Sequence, residues 1–465
     1  MSLPSPHNPP GLPLHGRRAV CFGMGASGTA SGVFLKGKGL DPLVVDEGPA
    51  ARLQESLTKL AAAGVRALPD LQSYEQLGEP DLVIVSPGVP TNHPMLERAR
   101  RAGAQVIGEI ELAYRFCAAP IAAITGTNGK GSTTRMLEGM LQAGGMRARA
   151  GGNIGEALVG LVEDDLHLLV AEVSSFQLET TELFHPWAAI LLNVTPDHMN
   201  RYRGMEDYTA AKLRLFANQR PGDVAVVNVA DPIAASVVES LPLPCLKVNL
   251  HDPSADAFLS GPDLMVRLPG EPAVRVARWD DLLLPAEHYA TDALCAAVVA
   301  LSAGVGLEAI AAGVRGWRPT GHQLQEVAVI GGVRFVDDSK ATNPEAAMAD
   351  LRTFPRPLLV IGGGDTKDRD MTAYADAVVE LADAAFLIGD GAEEIARAIG
   401  GRLPVTLSGT LENAVPAAYA AAAPGATVIL APGCASFDQF DGQAARGDHF
   451  AALVRGLGQP SQETS

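Results

Sequence analysis

Three segments of the chain repeat one pattern of apolar and polar positions. Each begins with a short apolar, β-branched run, passes through a glycine turn and continues into Ala-rich sequence with helical spacing. The segments open with "RRAVCFGMGASGTASGVFL", with "APIAAITGTNGKGSTTRMLEGML" and near "GGVRFVDDSKATN". Strand, turn and helix in this order are typical of βαβ units. The pattern therefore predicts an α/β protein built on parallel sheets.

Further apolar runs continue each segment and end in polar residues. They are "DPLVVDEG", "LHLLVAEVSS", "AAILLNVTPDH", "RPLLVIGGGD", "AAFLIGDG" and "ATVILAPGCAS". In open parallel sheets, ligands bind beyond the carboxyl ends of the strands. Turn residues near 115–120 and 319–322 separate the periodic segments and predict domains at 16–118, 119–320 and 321–465. The Pro-rich start, residues 1–15, is expected to be a disordered tail.

Composition agrees with a folded α/β enzyme. The chain has 465 residues, of which 47% are hydrophobic and 19% charged. This length exceeds what one core usually supports, so two or three domains are expected. The formal net charge of −17 would repel a polyanion, and nucleic acid is therefore not expected as a partner.

The cysteines and the N-terminus bear on the compartment. The five cysteines are scattered and show no C-x-x-C spacing, which argues against disulfides and a structural zinc site. The first residues lack the apolar stretch of a signal peptide, and no segment provides the ~20 apolar residues of a membrane span. We expect a cytoplasmic protein without a membrane span.

A glycine-rich turn ending in lysine follows the first strand of the second segment. In Gly126-x-x-Gly129-Lys130, backbone N–H groups can approach phosphate oxygens, and the lysine can reach the terminal phosphates. The match to the general phosphate-loop pattern is imperfect, since Ile124 stands where glycine is usual and Gly131 separates the lysine from Ser132. A plain glycine turn is the alternative, but it leaves the lysine and the following hydroxyl residues unexplained.

Acidic residues end the two next strands of this segment. "LHLLVAEVSS" contains Glu172, and "AAILLNVTPDH" ends in Asp197 and His198. An acid at a strand end beside a phosphate loop commonly helps to hold Mg²⁺. A solvated strand end is the alternative for Glu172 considered alone.

The first segment carries a competing signal. Gly23-x-Gly25-x-x-Gly28 matches the dinucleotide fingerprint, and Asp46 ends the next strand at the spacing of a ribose-binding acid. Alone, this favours an NAD-dependent oxidoreductase, while the phosphate loop alone would also suit a non-enzymatic nucleotide switch. A diphosphate site followed by a separate ATP site favours a ligase acting on a nucleotide-linked substrate.

Ten motifs, in order, resemble the Mur ligases of peptidoglycan synthesis. They are "SPGV", "GEIELAYR", "GTNGKGST", "GGNIG", "EVSSFQLETT", "NVTPDHMNRY", "AAKLRLF", "DDSKATNPEAA", "GGGDTK" and "CASFDQF". The resemblance covers nearly the whole chain, and "DSKATN" and "SFDQF" resemble the branch that adds D-glutamate. It implies a Rossmann-like N-terminal domain, a central parallel sheet of P-loop ATPase type and a Rossmann-like C-terminal domain.

The same resemblance implies an activity. The family phosphorylates the alanyl carboxylate of a UDP-N-acetylmuramoyl substrate with ATP, and the amino-acid amine then attacks the acyl phosphate. Small-molecule substrates, ATP, Mg²⁺ and a monomeric enzyme are expected. Lys212 matches a lysine that becomes a carbamate with CO2, although without its motif it would pass for a solvated helix lysine.

Site residues are carried over from the family motifs. The catalytic positions are Lys130, Lys212, His198 and Glu172. The metal positions are Ser132, Glu172, His198 and Lys212 as a carbamate. The ATP positions are Gly126, Thr127, Asn128, Gly129, Lys130, Gly131, Ser132, Thr133 and Asp338. The positions for the UDP substrate are Gly25, Ala26, Ser27, Gly28, Asp46, Ser86, Gly88, Asn153 and Ser174. The positions for D-glutamate are Lys340, Thr342, Lys367, Ser436 and Phe437.

The chain departs from the family pattern at several positions. Gly131 resembles the related folylpolyglutamate synthases, which lack the long N-terminal domain and remain the alternative ligase. Tyr289 and Asp292 replace asparagines near the adenine, and Gln323 replaces an arginine. Two assignments also have simpler readings, because Thr342 could cap the following helix and Lys367 could be a solvated loop lysine.

Overall fold

The computed structural model describes residues 11–14, 16–199, 201–367 and 369–457. It contains three sheets, which are distributed over two compact units. The first unit runs to Leu283 and includes Tyr289–Trp317, and the second comprises Leu284–His288 and the chain from Arg318 onward. The predicted α/β class with parallel-rich sheets is confirmed.

The first sheet has the strand order β3-β2-β1-β4-β5, with all its pairs parallel. Its strands are β1 (Ala19–Phe22), β2 (Leu43–Val45), β3 (Arg66–Leu68), β4 (Leu82–Val85) and β5 (Gln105–Gly108). The helices that follow its strands are α1 (Ala26–Gly37), α2 (Gln54–Ala62), α3 (Pro94–Arg101) and α4 (Glu109–Phe116). This is the order of a doubly wound sheet, whose crevice lies beyond β1 and β4.

The second sheet has nine strands in the order β14-β13-β12-β11-β10-β9-β6-β8-β7. They are β6 (Ile121–Thr125), β7 (Ala148–Gly152), β8 (Leu168–Glu172), β9 (Ala188–Leu191), β10 (Val224–Asn228), β11 (Cys245–Val248), β12 (Ala257–Ser260), β13 (Asp263–Val266) and β14 (Val274–Arg278). Only the pairs made by β13 are antiparallel. The central strands are buried throughout, as parallel strands covered on both faces should be.

The helices of this part of the chain include the one that begins at the phosphate loop. They are α5 (Lys130–Ala143), α6 (Ser175–Leu178), α7 (Met205–Leu213), α8 (Pro232–Ser236), α9 (Glu287–Ser302) and α10 (Leu307–Gly316). Across the described ranges, no helix is both long enough and apolar enough to pass through a bilayer.

The first two sheets share one hydrophobic core. Buried residues of α4, such as Leu112 and Tyr114, belong to the same cluster as Phe184 of the second sheet's layer. The carboxylate of Glu111 is buried and accepts hydrogen bonds from the backbone N–H groups of Glu182 and Phe184, at 2.8 and 2.9 Å. These contacts explain why the two sheets form a single unit.

The start of the described chain belongs to this core as well. Leu12 is buried within the shared cluster, and the Gly11 N–H donates to the carbonyl of Arg115 at 3.0 Å. Residues 11–14 therefore do not fit the disordered tail expected for 1–15. Residues 1–10 and 15 lie outside the described ranges.

The third sheet, in the second unit, has the order β15-β16-β20-β17-β18-β19. Its strands are β15 (Gln325–Ile330), β16 (Val333–Asp337), β17 (Leu358–Gly363), β18 (Ala384–Ile388), β19 (Val405–Gly409) and β20 (Thr427–Leu430). Its helices are α11 (Pro344–Leu351), α12 (Thr372–Leu381), α13 (Ala392–Ile399), α14 (Leu411–Ala421) and α15 (Gln443–Leu457). Only β15 runs antiparallel to its neighbour, so the carboxyl ends of β16, β20 and β17 lie side by side.

Candidate active site

The phosphate loop connects the end of β6 to the start of α5. Gly129 has φ +84°, a left-handed conformation that favours glycine. A Cβ on Gly126 would lie 2.9 Å from the Cβ of Leu192, so both glycines are required by the backbone path. The N–H groups of Thr127 and Asn128 donate to Oδ1 of Asn193, at 3.0 and 2.8 Å. Asn193, just after β9, therefore fixes the shape of the loop.

Two lysines converge on this loop. Lys130 Nζ donates to the carbonyls of Gly126 and Thr127, at 3.0 and 2.8 Å. Lys212 Nζ, from α7, donates to the same Gly126 carbonyl at 2.7 Å and lies 4.5 Å from the ring centroid of Tyr208. The loop, the N-terminus of α5 and two amines thus lie close together, a combination that suits phosphate oxygens.

Lys212 is almost completely buried. Burial lowers the pKa of its amine well below the usual value, the charge of Lys130 lowers that pKa further, and Asp197 acts in the opposite direction. A buried lysine with a lowered pKa is more often neutral, and a neutral amine is nucleophilic. Lys212 is therefore not the solvated helix lysine that its sequence alone would allow.

Apart from Lys212 on α7, the residues predicted to hold a metal lie at the end of β8, in the loop after β9 and at the start of α5. Glu172 is buried, and its Oε1 accepts a hydrogen bond from Asn153 Nδ2 at 2.8 Å. Ser132, two residues into α5, is buried as well. A hydroxyl and a carboxylate are hard oxygen donors of the kind that Mg²⁺ takes together with water and phosphate. In the part of the chain that the structure describes, no three His, Cys, Asp or Glu side chains are grouped for a metal.

His198 follows β9 in a left-handed backbone conformation, with φ +56°. Its ring packs against Phe176, with the centroids 4.7 Å apart, and its Nε2 lies 3.5 Å from Asp197 Oδ2.

In the first domain, the glycine fingerprint forms a tight turn between β1 and α1. Gly23 has φ +96°, and a Cβ on Gly28 would lie 1.8 Å from the carbonyl oxygen of Gly23. Ser86 Oγ donates to that same carbonyl at 2.9 Å. Asp46 accepts from the N–H groups of Met24 and Gly48, at 2.6 and 2.7 Å.

Asp46 and Ser86 therefore support the fingerprint turn whatever else they bind. Ala26 and Ser27 open α1, and Gly88 lies in the turn that follows β4. Ser174 caps α6 by accepting from the Gln177 N–H at 3.2 Å.

In the second unit, the loops after β16, β20 and β17 meet at the edge of the sheet. Asp365 and Ala435 exchange backbone hydrogen bonds at 3.0 and 2.9 Å, and the Gly433 N–H donates to Ala341 at 3.0 Å. These bonds bring together the loops that carry Thr342, Lys367 and Ser436.

The acceptor residues predicted on these loops differ in exposure. Ser436 is buried, whereas Phe437 is 68% exposed, and Lys367 Nζ lies 5.8 Å from the Phe437 ring centroid. Lys340 Nζ donates to Thr320 Oγ1 at 2.6 Å. Thr342 does not cap α11, since Asn343 does so by accepting from the Ala346 N–H at 2.8 Å.

Asp338 follows β16 and is fully buried. Its Oδ1 accepts from the Leu324 N–H at 3.2 Å. Burial, and secondly the neighbouring carboxyl of Asp350, raise the pKa of Asp338 well above its usual value.

Tyr289 and Asp292, which replace asparagines of the family pattern, lie in the first unit. Tyr289 is completely buried and packs on Trp317, with ring centroids 4.8 Å apart, so it is a core residue. Asp292 lies beside the phosphate loop, because a Cβ on Gly129 would be 2.5 Å from its Oδ1. Gln323, in the second unit, lies 3.4 Å from Lys340 Nζ through its Oε1.

Comparison with known proteins identifies the family. Three family models match in succession: "Mur ligase MurD-like, N-terminal domain" over residues 17–108, "Mur ligase middle domain" over 124–299 and "Mur ligase, glutamate ligase domain" over 323–434. A UDP-N-acetylmuramoylalanine–D-glutamate ligase from Pelotomaculum thermopropionicum is 39% identical over 451 residues, covering 95% of this chain and 98% of its own. The chain belongs to the Mur ligase family.

A second relative and a solved structure lead to the same family. The enzyme of the same name from Solibacter usitatus is 39% identical over 452 residues, covering 96% of this chain and 99% of its own. Among solved structures, a pseudomurein peptide ligase type C from Methanothermus fervidus aligns with a TM-score of 0.61 at 17% identity, covering 95% of this chain and 100% of that one. This structural likeness supports the Mur ligase fold, and as a family member the protein is a ligase.

Several residues that shape this Mur ligase site were not singled out from sequence. Asn193, after β9, accepts hydrogen bonds from the phosphate loop. Tyr208, on α7, contacts the same loop, since its hydroxyl lies 3.2 Å from Thr127 Oγ1. Arg446 of α15 is buried and donates to Ser339 Oγ at 2.9 Å and to the carbonyls of Cys434 and Ala435, at 3.1 and 3.2 Å. Asn193 lies within a quoted motif and could have been found there. Arg446 and Tyr208 carry no comparable local signal.

Proposed function

We propose that this protein is an ATP- and Mg²⁺-dependent ligase that joins D-glutamate to UDP-N-acetylmuramoyl-L-alanine during peptidoglycan synthesis. The relatives of that name match nearly the whole of both chains, which supports this choice of substrates. We further propose that the enzyme is a monomer. We propose that it works in the cytoplasm, where its UDP-linked substrate and ATP are both available.

The observation that carries the chemistry is the convergence of Lys130 and Lys212 on the Gly126 carbonyl. A carboxylate is a poor electrophile. Transfer of the γ-phosphoryl group from ATP to the alanyl carboxylate gives an acyl phosphate and ADP. The D-glutamate amine then attacks the acyl carbon, and the tetrahedral intermediate collapses to the amide with release of phosphate. The proposed role of Lys130, with the loop N–H groups, is to bind and orient the phosphates.

Ser132 and Glu172 are proposed to hold Mg²⁺, with His198 near a second metal position. Asn153 orients the Glu172 carboxylate by its hydrogen bond to Oε1. A bound magnesium ion would supply charge neutralisation to the phosphate oxygens.

Lys212 is proposed to carry a carbamate. A neutral amine adds to CO2 to give a carbamate anion and releases one proton, and this turns a neutral side chain into an anionic one. The lowered pKa of Lys212 supports the proposal, because only the neutral amine can add to CO2.

The nucleotide end of the substrate is proposed to bind in the first domain. The glycine turn and the N-terminus of α1 offer backbone N–H groups to a diphosphate. Asp46 has lone pairs beyond those that accept from the turn, and Ser86, which donates its hydroxyl hydrogen to the turn, can still accept. The other residues proposed for this substrate are Gly25, Ala26, Ser27, Gly28, Gly88, Asn153 and Ser174.

D-glutamate is proposed to bind in the second unit. Lys367 and Lys340 are cations, and Thr342 and Ser436 are hydroxyl donors, which together suit two carboxylates. Phe437 would cover the aliphatic part of the amino acid. Asp338 is assigned to the nucleotide from the family motif. The proposed domains are 16–118 for the UDP substrate, 119–320 for ATP and 321–465 for the amino acid.

Two alternatives are less well supported. A folylpolyglutamate synthase would not need the first domain, which matches a Mur-type N-terminal model over residues 17–108. An NAD-dependent oxidoreductase would use the glycine fingerprint but leave the phosphate loop unexplained.

The test is release of phosphate from ATP with UDP-N-acetylmuramoyl-L-alanine and each of several amino acids. We expect release that requires both the UDP substrate and D-glutamate. Folates as the required acceptor substrate, formation of NADH, or ATP hydrolysis without an acceptor would contradict the proposal. Fluorescence titration with NADH gives an independent control, since saturable binding that Asp46→Asn abolishes would favour the oxidoreductase.

A further inference from the structure

Arg201 links two parts of the first unit through one guanidinium group. Its Nη2 forms an ion pair with Glu179 Oε2 at 2.7 Å, and its Nη1 donates to the carbonyl of Pro87 at 3.1 Å. Glu179 follows α6 in the central layer, whereas Pro87 lies in the first domain, in the turn after β4. Both charged side chains are largely buried, at 16% exposure for Arg201 and 15% for Glu179. The contact therefore differs from an exposed surface ion pair.

Neighbouring groups hold the guanidinium in this position. Arg201 lies over the ring of Phe176, 4.1 Å from its centroid. The second oxygen of Glu179 accepts from the Tyr202 hydroxyl at 2.7 Å. Both oxygens of the carboxylate are thus used, and Arg201 and Tyr202 are fixed beside α6.

The same segment determines the conformation of His198. The N–H groups of Arg201 and Tyr202 donate to the His198 carbonyl, at 2.9 and 3.3 Å. His198 has φ +56°, a conformation that a non-glycine residue adopts only when its surroundings stabilise it. The His198 ring packs against Phe176, and the Arg201 guanidinium lies over the ring of the same Phe176.

We infer that Arg201 is a positioning residue that holds the Ser86–Val89 turn of the first domain against the segment bearing His198. The inference rests on the function proposed above, in which the turn helps to bind the UDP substrate and His198 lies at its reacting end. Because one guanidinium group contacts both the turn and α6, the turn keeps a constant distance from the segment bearing His198. Arg201 acts through Pro87 and His198 in this role.

Only arginine can make these contacts together. A planar guanidinium donates in two directions and stacks on a ring, whereas a lysine ammonium is a single point charge. Arg201→Lys keeps the charge and removes the bridge. Arg203→Lys is the matched control, because Arg203 is two residues away, 92% exposed, and paired with Asp207 at 2.6 Å.

The experiment combines kinetics with hydrogen exchange on the full-length enzyme. For Arg201→Lys we expect the KM for the UDP substrate to rise about 10-fold, which corresponds to the loss of one hydrogen bond made by a charged group. We also expect kcat to fall and the KM for ATP to stay unchanged. Amide exchange in the peptide containing Ser86–Val89 should be faster than in the parent. Arg203→Lys should match the parent in every measurement.

A second variant guards against loss of folding. Tyr202→Phe removes one hydroxyl and should accelerate exchange of the same peptide by less, with normal thermal stability. If Arg201→Lys lowered only the melting temperature or the active fraction, and left KM and exchange as in Arg203→Lys, the positioning role would be wrong. If the parent itself did not require the UDP substrate and D-glutamate, the proposed function would fail instead.

Discussion

Lys130 and Lys212 donate hydrogen bonds to the same atom, the carbonyl oxygen of Gly126, at 3.0 and 2.7 Å. One lysine comes from the helix that follows the phosphate loop and the other from α7, more than eighty residues later. Two ammonium groups this close repel each other, and the charge of Lys130 contributes to the lowered pKa of buried Lys212. The two lysines therefore differ in their proposed roles: Lys130 binds phosphate, while the lowered pKa of Lys212 favours a neutral amine.

Replacing Lys130 by Ala should abolish formation of the acyl phosphate. Removing one preorganised electrostatic group typically costs about 100- to 1000-fold in rate. Binding of the UDP substrate, measured by calorimetry, should persist because the proposed site of its nucleotide end lies in the first domain. Lys247→Ala, at an exposed position of β11, is the control and should retain full activity. Loss of UDP-substrate binding together with turnover would contradict the domain assignment.

Replacing Lys212 by Ala should nearly eliminate activity, and short carboxylic acids should restore part of it. The added acid would take the place of the carbamate anion. Formate and acetate should be titrated into Lys212→Ala, with Lys247→Ala as a variant that they do not stimulate. A carbamate signal in the parent after labelling with ¹³CO2 provides direct detection. A carbamate role would be excluded by full activity in the mutant, or by the absence of both rescue and signal.

Glu109→Gln should stabilise the protein above neutral pH and have little effect near pH 4. Glu109 is buried in α4 and accepts from the Val159 N–H at 2.6 Å, and burial raises its pKa from 4.5 to about 7. The folded state therefore holds more protons than the unfolded state between these values, so stability falls as pH rises through that window. Glutamine cannot ionise, so the variant should not lose stability in this pH range.

Urea unfolding at pH 4 and pH 8 measures the effect. The gain at pH 8 should not exceed about 3 kcal/mol, since one pKa unit corresponds to about 1.4 kcal/mol. Glu97→Gln, at an exposed position of α3, should show no such pH dependence. A stabilisation of equal size at both pH values would mean that ionisation of Glu109 is not its cause.

Lys367→Ala should raise the KM for D-glutamate by about 10- to 150-fold, the range for hydrogen bonds to charged groups. Affinity for ATP and the UDP substrate should change little. L-glutamate should be a poor acceptor even at saturation, since inverted chirality turns the amine away from the acyl carbon. Steady-state kinetics with both enantiomers tests this, with exposed Arg397→Ala as the control. Equal use of the two enantiomers, or a defect confined to ATP, would count against the site.

Local patterns predicted the parts of the site that depend on neighbouring residues. Gly129 and Lys130 could be assigned because a turn and a helix start are encoded in a few adjacent positions, and the structure places them as expected. The α/β class followed from apolar periodicity for the same reason. The roles of Thr342 and Lys367 in binding remain predictions.

Contacts between distant segments could not be predicted in this way. Arg446 reaches Ser339 across the second unit, and Arg201 reaches Pro87 across the first. Neither partner has a sequence spacing that links it to the other. Tyr289 stands at a position associated with the nucleotide, yet its burial against Trp317 is decided by packing. The Pro-rich sequence around Leu12 predicts a tail, and only the shared core shows where this residue packs.

The core shared by the first two sheets has a consequence for dissecting the protein. A cut near residue 118 follows the sequence boundary but would leave Leu112, Tyr114 and the carboxylate of Glu111 facing water. The excised N-terminal piece would expose an apolar surface and tend to aggregate. In calorimetry, a chain with three family domains should accordingly melt in two cooperative steps, with the N-terminal and central layers melting together.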